Sequence, residues 1–285
     1  MTTNFTSRIL EVYPTITIEK AVIDVTGQNN DVVIINDTLV FRFPKYEQGI
    51  RDLLTEVKIL TSINDVTTLS IPNPTYTSFE ELKVGRVFTG YQKINGVTLS
   101  KNAFQEVNRE IQQNLAIQLV TFLKEVHSAP IQMLQLKQTD LFNTFQYLYS
   151  RIQTKLFPFM RKDAQMEVTE TFEAFFHNQK QPINQTLIHG DFGSSNILWS
   201  PETSQITGII DFGGSGIGDP AYDLAGLLSS YGNAFYETCI SLYPEGEKVS
   251  KRVKFYRSTF ALQEALHGIE HNDPIAFENG IETYR

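Results

Sequence analysis

The sequence predicts an α+β fold with two lobes, a β-rich amino-terminal lobe and a mainly helical carboxy-terminal lobe. Two observations support this fold class. Residues 15–93 hold closely spaced runs rich in β-branched and aromatic residues, with one helical stretch among them. From residue 107 onwards, apolar residues recur mostly at intervals of three and four, which is the spacing of amphipathic helices. The change of pattern predicts a boundary near residue 94, between domains 1–93 and 94–285.

The amino-terminal part begins with a short helix, because the apolar residues from Phe5 to Tyr13 follow helical spacing and Pro14 ends the pattern. Three β-rich runs follow, and Asn36-Asp37 between the last two is typical of a tight turn, which predicts a hairpin. An amphipathic helix and a further strand complete this part. The predicted bounds are 15–25, 32–35 and 38–43 for the runs, 50–63 for the helix and 84–93 for the last strand.

The carboxy-terminal part is helical apart from one β-rich segment. An apolar stripe from Val107 to Val126 predicts a long first helix. Helices over 140–160 and 163–179 follow, a β-rich segment covers 186–212, and helix returns over 221–271. Ligand clefts favour boundaries between lobes, so a site is expected where the two parts meet.

Composition narrows the function classes. The formal charge of −8 over 285 residues argues against a nucleic-acid-binding protein, which would carry a basic face. No window approaches the roughly 18 apolar residues that a membrane span needs, and the first residues lack the apolar core of a signal peptide. Cys239 is the single cysteine, which excludes an internal disulfide and predicts a buried or half-buried thiol. We therefore expect a cytoplasmic protein, monomeric by default.

The densest group of chemically active residues lies between Leu187 and Leu198, where an apolar pair leads into a loop with His, Asp and Asn. Asp191 belongs to this loop, and a second apolar run ends at Asp211. Two strands that each end in an acid, joined by a turn at 201–205, predict that these carboxylates lie side by side at one end of a sheet. Together with Asn196 they offer oxygen ligands that suit Mg²⁺. Phosphoryl transfer needs this combination.

The spacing His-x-Asp-x-x-x-x-Asn, followed by Asp-Phe-Gly, resembles the catalytic and metal loops of the protein-kinase-like fold. The form His189-Gly190-Asp191, with IIDFG and GDPAYDL downstream, is similar to the aminoglycoside phosphotransferase family. Four further segments fall in the family's order and resemble its 2″-phosphotransferase branch: FRFPK at 41–45, EVKIL at 56–60, GYQKING at 90–96 and FLKEVHS at 122–128. The resemblance runs from residue 20 to residue 232.

The resemblance implies a bilobal kinase-like fold and the transfer of the γ-phosphoryl group of ATP or GTP to a hydroxyl. It implies that Asp191 is the catalytic base or hydroxyl-orienting acid, and that Asn196 and Asp211 hold Mg²⁺. The family's phosphate-clamping lysine is replaced here by Arg42, with Glu56 as its partner. Arginine keeps a permanent charge and a bidentate fork, so phosphate holding is compatible with the change.

The implied nucleotide site has a second candidate for the phosphate clamp and a segment for the purine. Lys45 is the second candidate for the phosphate clamp, although Pro44 displaces it from the strand. Lys93, Ile94 and Asn95 match the family's interlobe hinge, where backbone groups receive the purine.

The expected nucleotide loop covers residues 26–31 and contains Gly27 and Asn30. It has one glycine instead of a glycine-rich pattern, although asparagine tolerates the left-handed conformation. By itself the segment predicts a turn. Its position between two strands, ahead of Arg42, makes a phosphate-covering role an equally good interpretation.

Two acids downstream are assigned structural roles. Asp219 followed by Pro220 predicts a helix start, with the acid as N-cap and proline at the first helical position. Asp223 is expected to brace the catalytic loop by hydrogen bonds instead of touching substrate.

The resemblance implies a cationic aminoglycoside as the acceptor, since the family recognises such sugars with acidic side chains in the helical lobe. After Leu224, however, this chain reads AGLLSSYG where the 2″ branch usually carries an acidic cluster. A macrolide, a choline-like alcohol, homoserine or a sugar stays open as acceptor. The acids available to compensate are Glu237, Glu264, Glu270, Asp273 and Glu278.

Two other function classes are compatible with parts of the sequence. A metal-dependent hydrolase is suggested by His189, Asp191 and Asp211, although such sites normally need further histidine ligands. A non-catalytic nucleotide-binding relative of kinases is the other, although degenerate members usually lose an acid or amide that this chain keeps.

Overall fold

The computed structural model describes residues 5–27, 29–138, 140–178 and 183–285. Over these residues the strands are β1 (Ala21–Asp24), β2 (Asn30–Ile35), β3 (Leu39–Pro44), β4 (Tyr76–Ser78), β5 (Phe88–Gln92), β6 (Val97–Thr98), β7 (Thr186–Ile188), β8 (Ile197–Ser200), β9 (Gln205–Ile209) and β10 (Gly216–Gly218). The helices are α1 (Phe5–Val12), α2 (Glu47–Ile63), α3 (Lys101–Glu106), α4 (Arg109–His127), α5 (Leu141–Lys155), α6 (Lys162–Asn178), α7 (Ala221–Tyr231), α8 (Asn233–Leu242), α9 (Gly246–His271) and α10 (Pro274–Ile281).

The predicted hairpin between β2 and β3 is confirmed. Asn36 and Asp37 both adopt positive φ angles, 51° and 55°, and Thr38 N donates to Ile35 O at 3.0 Å. Two left-handed residues in succession make the turn that suits the twist of a hairpin. The side-chain oxygen of Asn36 also accepts the backbone N–H groups of Glu19 and Lys20. This explains why β1 starts only at Ala21, within the predicted run 15–25.

Five antiparallel strands form one sheet in the order β1-β2-β3-β5-β4. Alternate residues of β3 point to opposite faces, so Phe41 and Phe43 pack with Phe88 and helix α1 on one face, and Arg42 lies on the other. The short strand β4 was not predicted, because it has three residues and follows two prolines. The strand predicted from residue 84 begins at Phe88, since a turn joins Arg86 N to Lys83 O.

The chain divides into two compact units, and their limits do not coincide with residue 94. The first runs to Leu134 and includes 195–215, and the second comprises 135–194 with 216–285. In the first unit, β6, β8 and β9 form a sheet, and Gln118 of α4 accepts the Ile206 N–H of β9 at 3.0 Å. Residues 94–134 therefore group with the first unit in this structure. A functional division into lobes 1–93 and 94–285 stays a prediction.

The second unit is helical apart from the pair β7–β10. The long helix α9 runs through it, and its Phe255 stacks on Phe175 of α6 at 3.8 Å between ring centroids. Cys239 is fully buried, as expected, and burial raises the pKa of its thiol to about 12. Residue 179, the predicted end of the second internal helix, lies outside the described residues. Among those described, no helix combines the length and apolar character that a bilayer span requires.

Candidate active site

Arg42 is the buried centre of a charge cluster in the first unit. It is 7% exposed, forms an ion pair with Glu56 of α2, and places Nη2 at 3.0 Å from Asp211 Oδ1. Burial by itself would lower the pKa of Arg42, but the nearby carboxylates raise it above the ordinary value. Burial raises the pKa of Glu56, and the Arg42 charge opposes that shift. The cluster thus holds a permanent cation beside Asp211.

Lys45 occupies a different place. Its Nζ lies 2.6 Å from Val25 O, 2.5 Å from Gly27 O and 3.4 Å from the Asp31 carboxylate. It therefore fastens the β1–β2 loop, which is the predicted nucleotide loop. Asn30, predicted within that loop, is the first residue of β2 and pairs with Pro44. Gln28 of the predicted loop lies outside the described residues.

The predicted hinge follows β5, and Lys93 N donates to Thr38 O at 2.7 Å. Lys93, Ile94 and Asn95 line a cavity of about 450 Å³ together with Gln92. Gln92 pairs with Leu39, whose side chain belongs to the core that faces α1.

Asn196 and Asp211 meet at one end of the β8–β9 hairpin. Asn196 directly precedes β8, and its carbonyl accepts the N–H of Ile210 at 2.9 Å, next to Asp211. Asn196 is buried, whereas the Asp211 side chain is 52% exposed and its backbone is left-handed, with φ 61°. One carboxylate and one amide oxygen are hard donors, so this pair fits Mg²⁺ in chemical character.

The loop that carries Asp191 is organised by one buried acid of the second unit. The two oxygens of Asp223 accept the backbone N–H groups of His189 and Gly190, each at 2.8 Å. The bracing role predicted for Asp223 is confirmed. Asp191 N donates to His189 Nδ1 at 3.2 Å, and Ser194 N donates to Ser230 Oγ at 2.9 Å. Side chains thus hold this loop along its length.

The sheet argument for the two carboxylates was wrong. Strand β7, which leads to Asp191, pairs with β10, whereas β9, which leads to Asp211, pairs with β8. The two strands belong to different sheets, because β7 pairs with β10. Strand β10 has three residues and was too short to be predicted from the sequence. The closeness of the two carboxylates stays a prediction.

Asp219 lies at the start of α7 and is almost completely buried. The helix begins at Ala221 with Pro220 at its N-cap, one residue later than predicted, and the Asp219 carboxylate accepts the N–H of Ala221 at 3.0 Å. Arg252 and Tyr256 of α9 also bind it, at 2.5 Å and 2.8 Å. Asp219 therefore ties α7 to α9.

A second cavity, of about 290 Å³, opens beside Asp191. Tyr222 and Ser229 of α7 and Phe260 and Gln263 of α9 line it. None of these four was identified from the sequence, because they are ordinary helix residues that only folding brings to the loop. The one available signal was the missing acidic cluster after Leu224.

The chain is similar to known proteins in sequence and in structure. The sequence model described as "phosphotransferase enzyme family" matches residues 23–256. Viomycin phosphotransferase of Streptomyces vinaceus is 31% identical over 150 residues, which is 50% of this chain and 50% of that protein. The match thus spans about half the length of this curated relative.

Two solved structures illustrate the structural likeness. APH(2″)-IIIa in complex with GDP and kanamycin superposes with a TM-score of 0.90 at 26% identity, covering 98% of this chain and 96% of that one. Macrolide 2′-phosphotransferase type I superposes with a TM-score of 0.74 at 15% identity, covering 100% of this chain and 98% of that one. The second likeness shows the fold alone.

Proposed function

Because the chain belongs to the phosphotransferase enzyme family, as its motifs predicted, we propose that it transfers the γ-phosphoryl group of a nucleoside triphosphate to a hydroxyl of a small molecule. In this reaction the hydroxyl oxygen forms a bond to the γ-phosphorus, and the bond from phosphorus to the β–γ bridging oxygen breaks. The nucleoside diphosphate leaves, and the hydroxyl proton passes to a carboxylate and then to solvent.

The cluster of Arg42, Glu56 and Asp211, in which Arg42 and Glu56 are buried, carries this proposal. A guanidinium fixed by two carboxylates is a preorganised cation for phosphate oxygens. We assign the phosphate clamp to Arg42, because Lys45 is engaged with the β1–β2 loop. Asn196 and Asp211 would hold Mg²⁺, which supplies charge neutralisation to the phosphates when bound.

Asp191 is proposed to orient the acceptor hydroxyl and receive its proton. The brace from Asp223 to the backbone of His189 and Gly190 fixes the loop that carries it. Positioning of this kind supplies much of the rate in phosphoryl transfer. The proposal does not require covalent participation of the protein.

For the donor, both ATP and GTP are proposed, with the backbone of Lys93, Ile94 and Asn95 as the purine contact and Gly27 and Asn30 near the phosphates. The GDP bound in APH(2″)-IIIa supports a nucleotide donor. For the acceptor, an aminoglycoside is the first candidate, because the same neighbour is a kanamycin complex. A monomer in the cytoplasm stays the expectation.

The test is nucleotide consumption with Mg²⁺ and either ATP or GTP, measured with and without kanamycin-type and gentamicin-type aminoglycosides. Choline, homoserine and a macrolide are assayed in parallel. We expect consumption that depends on one of these acceptors and a phosphorylated product detected by mass spectrometry. Nucleotide binding without turnover, whatever the acceptor, would contradict the proposal.

Two substitutions separate the assigned roles. Asp191→Ala should abolish turnover while nucleotide binding, measured by calorimetry, is retained. Asp211→Ala should instead weaken binding of the Mg²⁺–nucleotide complex, so the magnesium concentration that gives half-maximal turnover should rise in this variant. Glu264→Gln, an exposed acid on α9, serves as the control and should leave both properties unchanged.

A further inference from the structure

The cavity beside Asp191 is lined by neutral groups. Among the described residues that line it, Asp191 is the only charged one. Ser229, Ser230 and Gln263 supply hydroxyl and amide groups, and Phe260 adds an aromatic wall. Hydroxyls and amides both donate and accept hydrogen bonds, so they match the hydroxyls of a ligand better than its ammonium groups.

Two acids near the cavity are already engaged. Asp223 is fully buried and binds two backbone N–H groups of the loop. Asp219 is bound by Arg252 and Tyr256. Neither carboxylate is among the described residues that line the cavity. Asp191 is therefore the one acid among the described lining residues.

The acids that the sequence offered as substitutes do not line the cavity. Glu270 is held by Arg151 and Lys155, and Glu278 is held by Arg285. Asp273 caps α10 through the N–H groups of Ile275 and Ala276. Glu237 and Glu264 are exposed at other positions of α8 and α9.

Two polar groups of the cavity, those of Ser230 and Gln263, are held in place by hydrogen bonds. Ser230 Oγ accepts the Ser194 N–H, so the hydroxyl hydrogen of Ser230 must point elsewhere. Gln263 Nε2 donates to Thr259 Oγ1 at 2.9 Å, which orients its amide. A cavity with fixed hydroxyl and amide groups beside an aromatic ring suits a hydroxylated ring, whose C–H groups pack on the aromatic face.

We infer that this cavity takes an uncharged, hydroxylated ring of the acceptor, recognised by Ser229, Ser230 and Gln263, and that ammonium groups of the acceptor lie outside it. The inference rests on the proposed function and names how the acceptor is selected. It predicts that recognition depends little on ionic strength, because hydrogen bonds to neutral groups are screened much less than the attraction between charges.

The test compares the acceptor KM at about 0.05 M and about 0.5 M salt, a range over which screening of charge pairs becomes strong. With any acceptor that supports turnover, the wild-type KM should change by less than about twofold. Ser229→Ala and Gln263→Leu should each raise the acceptor KM about fivefold at both salt concentrations, because each variant removes a hydrogen-bonding group that recognises the ring.

A matched variant outside the cavity serves as the control. Ser241→Ala removes an exposed serine hydroxyl of α8 that does not line the cavity, so its acceptor KM should equal that of the wild type. Circular dichroism checks that each variant is folded, and Ser229 is exposed, which favours tolerance. A wild-type KM that rises more than about tenfold with salt, or an unchanged acceptor KM in both Ser229→Ala and Gln263→Leu, would overturn this inference alone. Absence of turnover with every acceptor would overturn the proposed function and this inference with it.

Discussion

The charged side chain of Arg42 is buried, and the carboxylates of Glu56 and Asp211 stabilise its charge. Removing one partner of a buried ion pair leaves an uncompensated charge, which typically costs about 3 to 5 kcal/mol. Arg42→Met should therefore lower the free energy of unfolding by about 3 kcal/mol and raise the nucleotide KM. Denaturant unfolding and initial-rate kinetics measure the two effects.

The matched control is Arg86→Met in the same unit. Arg86 also binds two acids, Glu11 and Glu81, but its side chain is 38% exposed. Exposed ion pairs contribute about 0 to 1 kcal/mol, so this variant should lose at most about 1 kcal/mol. Equal losses for Arg42→Met and Arg86→Met would show that burial does not set the energetic role of Arg42.

Lys45 is expected to act through the loop that it holds. Lys45→Met removes the contacts to Val25 O and Gly27 O, so the loop should lose order over bound phosphates. The nucleotide KM should rise about fivefold to tenfold, which corresponds to about 1 kcal/mol, while kcat changes little. Lys45→Arg should restore part of the loss, and Lys83→Met on the same unit's surface should have no effect. A large fall in kcat would instead favour Lys45 as a direct phosphate clamp.

At the scale of elements, helix α7 packs closely against the loop that carries Asp191. A Cβ added to Gly226 would lie 2.3 Å from Phe192 O and 2.8 Å from Phe192 C. Gly226→Ala must therefore displace Phe192, which directly follows Asp191 in the loop. A shift of about 1 Å in the position of Asp191 can lower the rate about 100-fold. Steady-state kcat measures this, with acceptor and nucleotide saturating.

Gly216→Ala provides the control within the same unit. No atom lies within 4 Å of a Cβ added at Gly216, so activity should stay near that of the wild type. If Gly226→Ala were equally active, the packing of α7 would not determine the position of the loop.

Elements with a long periodic pattern or a local turn signal were predicted well from the sequence. Strands that form only by pairing with a segment distant in the sequence were predicted poorly. Helix α2 and the β2–β3 hairpin follow from periodicity and from Asn36-Asp37, which are local signals. Strand β10 has three residues, Gly-Ile-Gly, and becomes a strand only through pairing with β7. The sheet argument failed for this reason, since pairing depends on residues about thirty positions away along the chain.

The candidate site shows the same limit. The resemblance to the aminoglycoside phosphotransferase family implied the roles of Arg42 and Glu56, and Asp223 lies in the GDPAYDL motif that carries the same resemblance. Ser229 and Gln263 were assigned no role by the resemblance, and their position at one cavity follows from the packing of α7 and α9. The family motifs were sufficient for the first group and could not specify the second.

At the scale of the whole molecule, acid stability should depend on contacts such as that of Glu270, which joins α9 to α5. A hydrogen bond from Arg151, aided by Lys155, lowers the pKa of Glu270 from 4.5 to about 2. A depressed carboxyl pKa contributes stability that is present above the unfolded value and is lost as pH falls towards the folded value. Glu270→Gln should therefore lower the melting temperature at about pH 7, and the difference from wild type should shrink towards about pH 2.

The comparison is melting by circular dichroism across that pH range, with Glu264→Gln on the same helix as the control. A difference between Glu270→Gln and wild type that stays constant from about pH 7 to about pH 2 would mean that the ion pair is not the source of the stability.

The division of the chain into units has a consequence for biosynthesis. The first unit needs residues 195–215, which follow a long excursion into the second unit. When residues up to Leu134 have emerged from the ribosome, β8 and β9 have not yet been synthesised. The surfaces of β6 and α4 that contact these strands are therefore exposed to solvent. Contacts between segments so far apart in sequence slow folding. The nascent chain is therefore expected to depend on chaperones until residue 215 emerges, and a truncation before that point should be recovered in the insoluble fraction.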